Sequence, residues 1–289
     1  MTSWTAADLP SFAGRTAIVT GANSGLGEIT ARELARVGAT VILAVRNTDK
    51  GAAAAAGMPG EVEVRRLDLQ DLASVREFAD GVEDVDVLIN NAGVMAVPFA
   101  LTKDGFESQI GTNHLGHFAL TNLLLPKIGD RVVTVSSMMH LFGRVNLKDL
   151  NWKARPYSSW GAYGQSKLAN LLFTSALQRR LDGVGSRVRA VAAHPGYSAT
   201  NLQTHSAGTF SSRFMAIGNR YFATDADFGA RQTLFAASQD VPGDTLIGPR
   251  FGQQGPTGPT FRSPLARSAA KAEGLWELSA QLTGTEFPL

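Results

Sequence analysis

An α/β fold, a single doubly wound parallel sheet with helices on both faces, is predicted by three features of the 289-residue chain. Short β-branched runs recur, segments with helical spacing fill the gaps, and the alternation holds through most of the sequence. Right-handed crossovers between parallel strands then place helices on both sides of the sheet. The first strand is TAIVT (16–20), and the helix after it runs from Gly27 to Gly38, with Ile29, Leu34 and Val37 near helical spacing. TVILAV (40–45) and VEVRRL (62–67) follow, separated by GAAAAAGMPG (51–60), an alanine-rich surface helix that Gly57 and Pro59 end. VDVLIN (85–90), RVVTVSS (131–137) and RVRAVAA (187–193) complete the expected strands. Before the last of these lies a helix in which Tyr163, Lys167, Asn170 and Thr174 form a polar line beside an apolar stripe of Ala169, Leu172, Phe173, Ala176 and Leu177. The Gly- and Pro-rich segment 247–264 reads as an irregular loop, and a helix closes the chain, so 247–289 is a C-terminal loop and helix of one domain spanning 1–289.

Composition narrows the function classes. The hydrophobic fraction is 44% and the charged fraction 18%, ordinary for a globular chain with a buried core. Lys plus Arg number 27 against 25 for Asp plus Glu, with no basic stripe, so neither nucleic acid nor an anionic membrane is an expected partner. The chain has no cysteine, which excludes disulfides, thiolate metal sites and thiol catalysis and fits a reducing compartment. Its first residues, MTSWTAADLPSFAGRTAIVTG, lack the pattern of a signal peptide, and no run approaches a membrane span of roughly 18 apolar residues, so a cytoplasmic protein is expected. No histidine pair with a nearby glutamate suggests a metal, and no G-x-S-x-G elbow suggests a hydrolase. His114, His117 and His194 read as packing residues and His140 as a substrate-pocket residue.

Three stretches carry chemistry. TGANSGLG (20–27) joins the first strand to a helix, where glycines permit a tight turn and free N–H groups favour a phosphate. At the end of the second strand, Val45 stands where an acid for a ribose 2′-hydroxyl is expected, and Arg46 follows. Arg46 is either the partner of a 2′-phosphate, implying NADP(H) over NAD(H), or a solvated surface arginine. Tyr163 and Lys167 are four residues apart and share a helix face. A carbonyl–alcohol interconversion needs a proton donor and acceptor at the reacting oxygen. A tyrosine with a pKa of about 10 serves as a base near neutrality once a neighbouring ammonium and an oxidised nicotinamide favour its phenolate.

In order along the chain come T-G-x-x-x-G-x-G, Asp68–Leu69, NNAG (90–93), Asn113, Ser137, YGQSK (163–167) and Pro195–Gly196. This series, from about residue 14 to about residue 200, resembles the short-chain dehydrogenase/reductase family, and with it a Rossmann fold. GANSGLG, AVRN, YGQSKLANLLF and HPG look most like its retinol-dehydrogenase-like branch, and RVNLKDLNWKARPYSSW also resembles carbonyl-reductase-like members. The resemblance implies that Gly21, Asn23, Ser24, Gly25, Leu26, Gly27, Arg46, Asp68, Leu69, Asn91, Ala92, Gly93, Pro195 and Gly196 bind the cofactor together with Tyr163 and Lys167. It implies that Ser137 holds the substrate oxygen, Tyr163 is the general acid/base, Lys167 reaches the nicotinamide ribose, and Asn113 holds a water linking Lys167 to solvent. Two of these residues keep a structural alternative: Asp68 as a helix cap and Asn113 as a buried amide. Glu28 is expected to point away from a phosphate, and Ser136 to face opposite Ser137. The substrate is then a small-molecule carbonyl compound or alcohol of apolar character, and the aromatic-rich segment 197–224 is either its lid, suiting a long apolar or aromatic carbonyl compound, or a surface helix whose aromatics complete the core. The long Ser137–Tyr163 stretch suggests a monomer or homodimer rather than a tetramer. Relatives with retinoid activity often carry an anchor before the first strand that this sequence lacks, so retinoid turnover is not implied. A non-catalytic NADP(H) sensor on the same fold is the competing class, and it has no need of Ser137, Tyr163 and Lys167 together.

Overall fold

A computed structural model describes residues 4–196, 226–252 and 254–289. The expected substrate lid, 197–224, lies outside the described residues. The strands are β1 (Thr16–Thr20), β2 (Thr40–Val45), β3 (Val62–Arg66), β4 (Val85–Asn90), β5 (Ile128–Val135), β6 (Arg189–Ala193), β7 (Leu246–Pro249) and β8 (Thr257–Pro259). They form one eight-stranded sheet in the order β3-β2-β1-β4-β5-β6-β7-β8, parallel except for the β7–β8 pair. The strand order reverses between β1 and β4, and the carboxyl ends of those strands open a crevice there.

The helices are α1 (Gly25–Arg36), α2 (Thr48–Ala55), α3 (Leu72–Asp80), α4 (Ser108–Ile110), α5 (Gly116–Leu124), α6 (Ser159–Gly183), α7 (Ala226–Ser238) and α8 (Ala269–Thr283). Strand alternation divides the core between two layers. Ala17 and Val19 face Ala31, Leu34 and Ala230 on one side, while Ile18 belongs with Phe118, Leu172 and Trp276 on the other.

One expectation is corrected. The segment 247–264 is not irregular: it carries the end of β7 and all of β8, paired Ile247 to Pro259 and Gly248 to Gly258. Gly248 is a packing residue, because a Cβ there would stand 2.2 Å from His194 Nε2. Breaker residues therefore hid an edge hairpin. The polar line of α6 is buried with its apolar stripe, Lys167, Asn170 and Thr174 being enclosed like Leu172. The sheet covers one side of α6 and α8 another, where Trp276 stacks on Phe173 at 5.8 Å and meets Phe118 edge-on at 4.8 Å. No helix among the described residues is long and apolar enough to cross a membrane.

Candidate active site

The crevice at β1 and β4 is a cleft of about 1300 Å³. Ser137 and all sixteen residues expected to bind the cofactor line it, whereas Asn113 and His140 lie behind its wall.

At one end, β1 runs into α1 through Gly21 (φ 66°) and Gly25 (φ 58°), left-handed conformations that glycine adopts without strain. A Cβ on Gly21 would touch Ala92 at 3.0 Å, and one on Gly27 would lie 2.4 Å from Asn91 Nδ2. The turn is thus pressed against the chain after β4. Ser24 stands at the N-cap position of α1 with no side-chain cap bond, and Asn23 to Gly27 all line the cleft. Backbone N–H groups at such a helix start suit a diphosphate. Glu28 lines the same wall.

Thr20 binds the two turns together. Its hydroxyl accepts from Asn91 N and Ala92 N, each at 2.9 Å, and Asn91 Nδ2 donates to Thr20 O at 2.8 Å. With both lone pairs taken, the Thr20 hydrogen goes to His117 Nε2 at 2.9 Å, whose Nδ1 donates to Asn113 O at 3.2 Å. Burial lowers the His117 pKa to about 4, so the ring stays neutral and this pattern holds at neutral pH. Thr20 and His117 were missed as site residues. Thr20 sits inside the glycine motif, but His117 carries no local signal, as its partner is 97 residues away.

Arg46 is exposed at the rim, and Lys50, absent from the expected set, lines the same wall. Asp68 does not cap α3. Asp71 does, accepting from Ala73 N at 3.0 Å, while Asp68 forms a local turn by accepting from Gln70 N at 3.0 Å. Leu69 is held by the close passage of α5, since a Cβ on Gly116 would lie 2.5 Å from Leu69 O.

The reacting end joins three elements. β5 ends at Val135, short of the expected 137, so Ser136 and Ser137 lie beyond it. Ser136 turns inward and donates to Lys167 O at 2.8 Å. Ser137 begins a short 3-10 turn, Met138–Leu141, and accepts from Met139 N at 3.2 Å. This turn rests on α6 through a glycine pair, for a Cβ on Gly143 would stand 2.2 Å from Gly164 O. The contact brings Ser137 beside Tyr163. Lys167 Nζ donates to Val135 O at 3.1 Å and lies 5.7 Å from the centre of the Tyr163 ring.

Burial dominates the electrostatics of this pair. It raises the Tyr163 pKa to about 12, with a hydrogen bond to the Ser137 side chain pulling the other way, and lowers that of Lys167 to about 8. The expected depression of Tyr163 by Lys167 is therefore not present in the protein alone, because the lysine points past the ring to a backbone carbonyl.

Asn113 takes the structural alternative for its side chain. Oδ1 accepts from Val94 N at 2.8 Å, and Nδ2 donates to Val94 O and Ser166 Oγ, both at 2.9 Å. Both amide hydrogens are used, which leaves the group clamping Val94 to α6. Asn113 lies in a π-helical turn, Gly111–Leu115, between α4 and α5. His140 is corrected as a pocket residue: it is fully buried, donates to Ser137 O at 2.7 Å and accepts from Ser263 N at 3.3 Å. His114 packs as expected, bonded to Ser279 Oγ at 2.8 Å, and His194 accepts from Gly196 N at 3.1 Å beside Pro195. No trio of metal-ligating side chains occurs among the described residues.

The short chain dehydrogenase model matches residues 15–209, and the chain belongs to that family of nicotinamide-dependent oxidoreductases acting between carbonyl and alcohol. Within the family it falls in the retinol-dehydrogenase-like branch: human retinol dehydrogenase 13 is 43% identical, over 95% of this chain and 86% of the relative. A crystal structure of an uncharacterised protein from Mycobacterium paratuberculosis is 68% identical, covers 100% of both chains and superposes with a TM-score of 0.90. An NAD(P)-dependent gluconate 5-dehydrogenase from Beutenbergia cavernae, described with bound NADP, is 26% identical over 82% of this chain and 96% of its own, with a TM-score of 0.64.

Proposed function

We propose that this protein is an NADP(H)-dependent oxidoreductase that interconverts an apolar carbonyl compound and its alcohol, with Tyr163 as general acid and base. The observation that carries the reading is the single cleft in which a glycine cradle for a diphosphate meets Ser137, Tyr163 and Lys167. The residues fit a dinucleotide. Asn23 to Gly27 would hold the diphosphate, Asp68 and Leu69 the adenine, Arg46 and Lys50 a 2′-phosphate, and Asn91 to Gly93 with Lys167, Pro195 and Gly196 the nicotinamide riboside. When bound, the cofactor donates or accepts the hydride.

The chain's own groups then manage the oxygen. Ser137 donates a hydrogen bond to it and holds it near Tyr163. Tyr163, protonated through the neutral range in the protein alone, delivers its proton to the carbonyl oxygen during reduction, and in oxidation its phenolate, favoured when an oxidised nicotinamide brings its positive charge to the site, takes the proton from the alcohol. Asn113, through its carbonyl oxygen, would hold the water that links Lys167 to solvent. Val94, Met95, Val97, Met138, Met139 and Trp160 give the reacting end apolar walls, which supports an apolar substrate. The reading includes a monomer or homodimer acting in the cytoplasm, supported for the assembly by α8 covering α5 and α6.

Parallel titration with NADPH and NADH, followed by tryptophan fluorescence, tests the proposal, since Trp160 lines the cleft. Tighter binding of NADPH is the expected result. Binding of neither nucleotide refutes the reading.

A further inference from the structure

Met138, Met139 and Trp160 line the cleft at the two ends of the long stretch between Ser137 and Tyr163, and between them Tyr157 reaches the back of the cleft wall. That wall is the segment Val94 to Val97, whose Val94, Met95 and Val97 line the cavity. Within it Ala96 has a φ of 50°, a left-handed conformation that an alanine does not favour by itself. Something must hold it, and the holding groups are side chains from elsewhere in the chain. Gln109 Oε1 accepts from Ala96 N at 2.9 Å, and the Tyr157 hydroxyl donates to Val97 O at 3.0 Å.

Those two side chains are joined to each other and anchored behind. Gln109 Nε2 donates to Tyr157 Oη and to Ser159 O, both at 2.8 Å. Tyr157 Oη also lies 3.1 Å from Glu107 Oε1, so its one hydrogen serves two acceptors. Glu107 and Gln109 are fully buried, and Glu107 is fixed by Gln109 N at 2.8 Å and Ile110 N at 2.9 Å. The Tyr157 ring is caged edge-on by Phe99 at 5.3 Å and Trp152 at 5.6 Å. The network therefore spans α4, the stretch before α6 and the cleft wall, and neither Gln109 nor Tyr157 lines the cavity itself.

We propose that Tyr157 and Gln109 are positioning residues that set the width of the substrate end of the cleft, by clamping the Val94–Val97 wall, and so select among apolar carbonyl compounds. The proposal rests on the oxidoreductase reading for its substrate, whereas the clamp itself can be measured without turnover. Removing the Tyr157 hydroxyl leaves the Val97 carbonyl without this donor and lets the strained Ala96 relax. The cofactor end, built from the glycine turn and Asn91 to Gly93, keeps its contacts.

The experiment compares full-length wild type with Tyr157→Phe in three measurements: NADPH affinity, steady-state constants for 2-naphthaldehyde and propanal, and amide hydrogen exchange at Ala96. In the variant the KM for 2-naphthaldehyde is expected to rise about five- to tenfold, with kcat, propanal KM and NADPH affinity within about twofold of wild type. Exchange at Ala96 is expected to accelerate about tenfold. Unchanged exchange and unchanged KM overturn the clamp, and so does a uniform loss in which kcat, both KM values and NADPH affinity move together. A wild type that binds NADPH but neither binds nor reduces 2-naphthaldehyde overturns the selection of apolar carbonyl compounds. A wild type that binds no nucleotide refutes the oxidoreductase reading instead, and Ala96 exchange still decides the clamp. Gln109→Met, read in the same way, replaces Tyr157→Phe if that variant does not fold.

Discussion

Tyr163 and Lys167 stand one helical turn apart, and burial moves their pKa values in opposite directions, to about 12 and about 8. The tyrosine therefore carries its proton through the neutral range in the protein alone, and its phenolate is scarce there. Tyr163→Phe is expected to lower kcat by at least about a hundredfold and leave NADPH affinity within about twofold, because only the proton transfer is removed. Single-turnover hydride transfer with parallel nucleotide titration checks this. At the other end of the cleft, Arg46→Asp should shift preference towards NADH, since a carboxylate repels a 2′-phosphate and can bond a ribose hydroxyl. The ratio of NADPH to NADH affinities is the measurement, and an unchanged ratio removes Arg46 from cofactor choice. These residues were legible because each sits within a few positions of a strand end or of its partner. His117 and Gln109 were not, because their partners are distant in sequence and no local pattern marks them.

At the scale of elements, β1, β2 and β4 begin and end where their β-branched runs do. The strands that were misjudged are those whose ends depend on packing. β5 stops at Val135 because Ser136 turns to the backbone of α6, and β7 keeps its glycine to admit His194. The glycine pair between the Met138–Leu141 turn and α6 gives a sharp test. Gly143→Ala would place a Cβ 2.2 Å from Gly164 O, so the turn must lift and carry Ser137 away from Tyr163. Turnover is expected to fall about a hundredfold, the scale of a displacement near 1 Å, while NADPH affinity changes little. Steady-state kinetics beside a nucleotide titration distinguishes this from general unfolding, which would remove both.

For the whole molecule, α8 makes α6 an interior helix. Trp276 covers Phe118 and Phe173, and the Arg180 guanidinium lies 4.1 Å over its ring while pairing with Glu273. Trp276→Ala is expected to cost about 3–5 kcal/mol of stability, as for other large buried aromatics, measurable by chemical denaturation. Buried histidines add a pH dependence. Burial lowers His117 and His194 from 6.5 to about 4 and His114 to about 3. Between those values the unfolded chain binds more protons than the folded one, so stability rises with pH. The destabilisation is absent above about pH 6.5 and grows as pH falls towards 4. Denaturation midpoints at pH 7 and pH 5 check the sign, and an equal or higher midpoint at pH 5 contradicts it.

The alternating strands and helices, the glycine turn between β1 and α1 and the spacing of Tyr163 to Lys167 were determined by the sequence alone. Each depends on periodicity or on neighbours a few residues apart, and such patterns survive in one dimension. The tertiary structure decided the burial that pushes Tyr163 up and Lys167 down, the Thr20–His117 link and the Asn113 clamp on Val94. It also decided the Tyr157–Gln109 hold on the cleft wall. Those depend on desolvation and on hydrogen bonds between distant segments, which exist only once the sheet, α6 and α8 have closed around them.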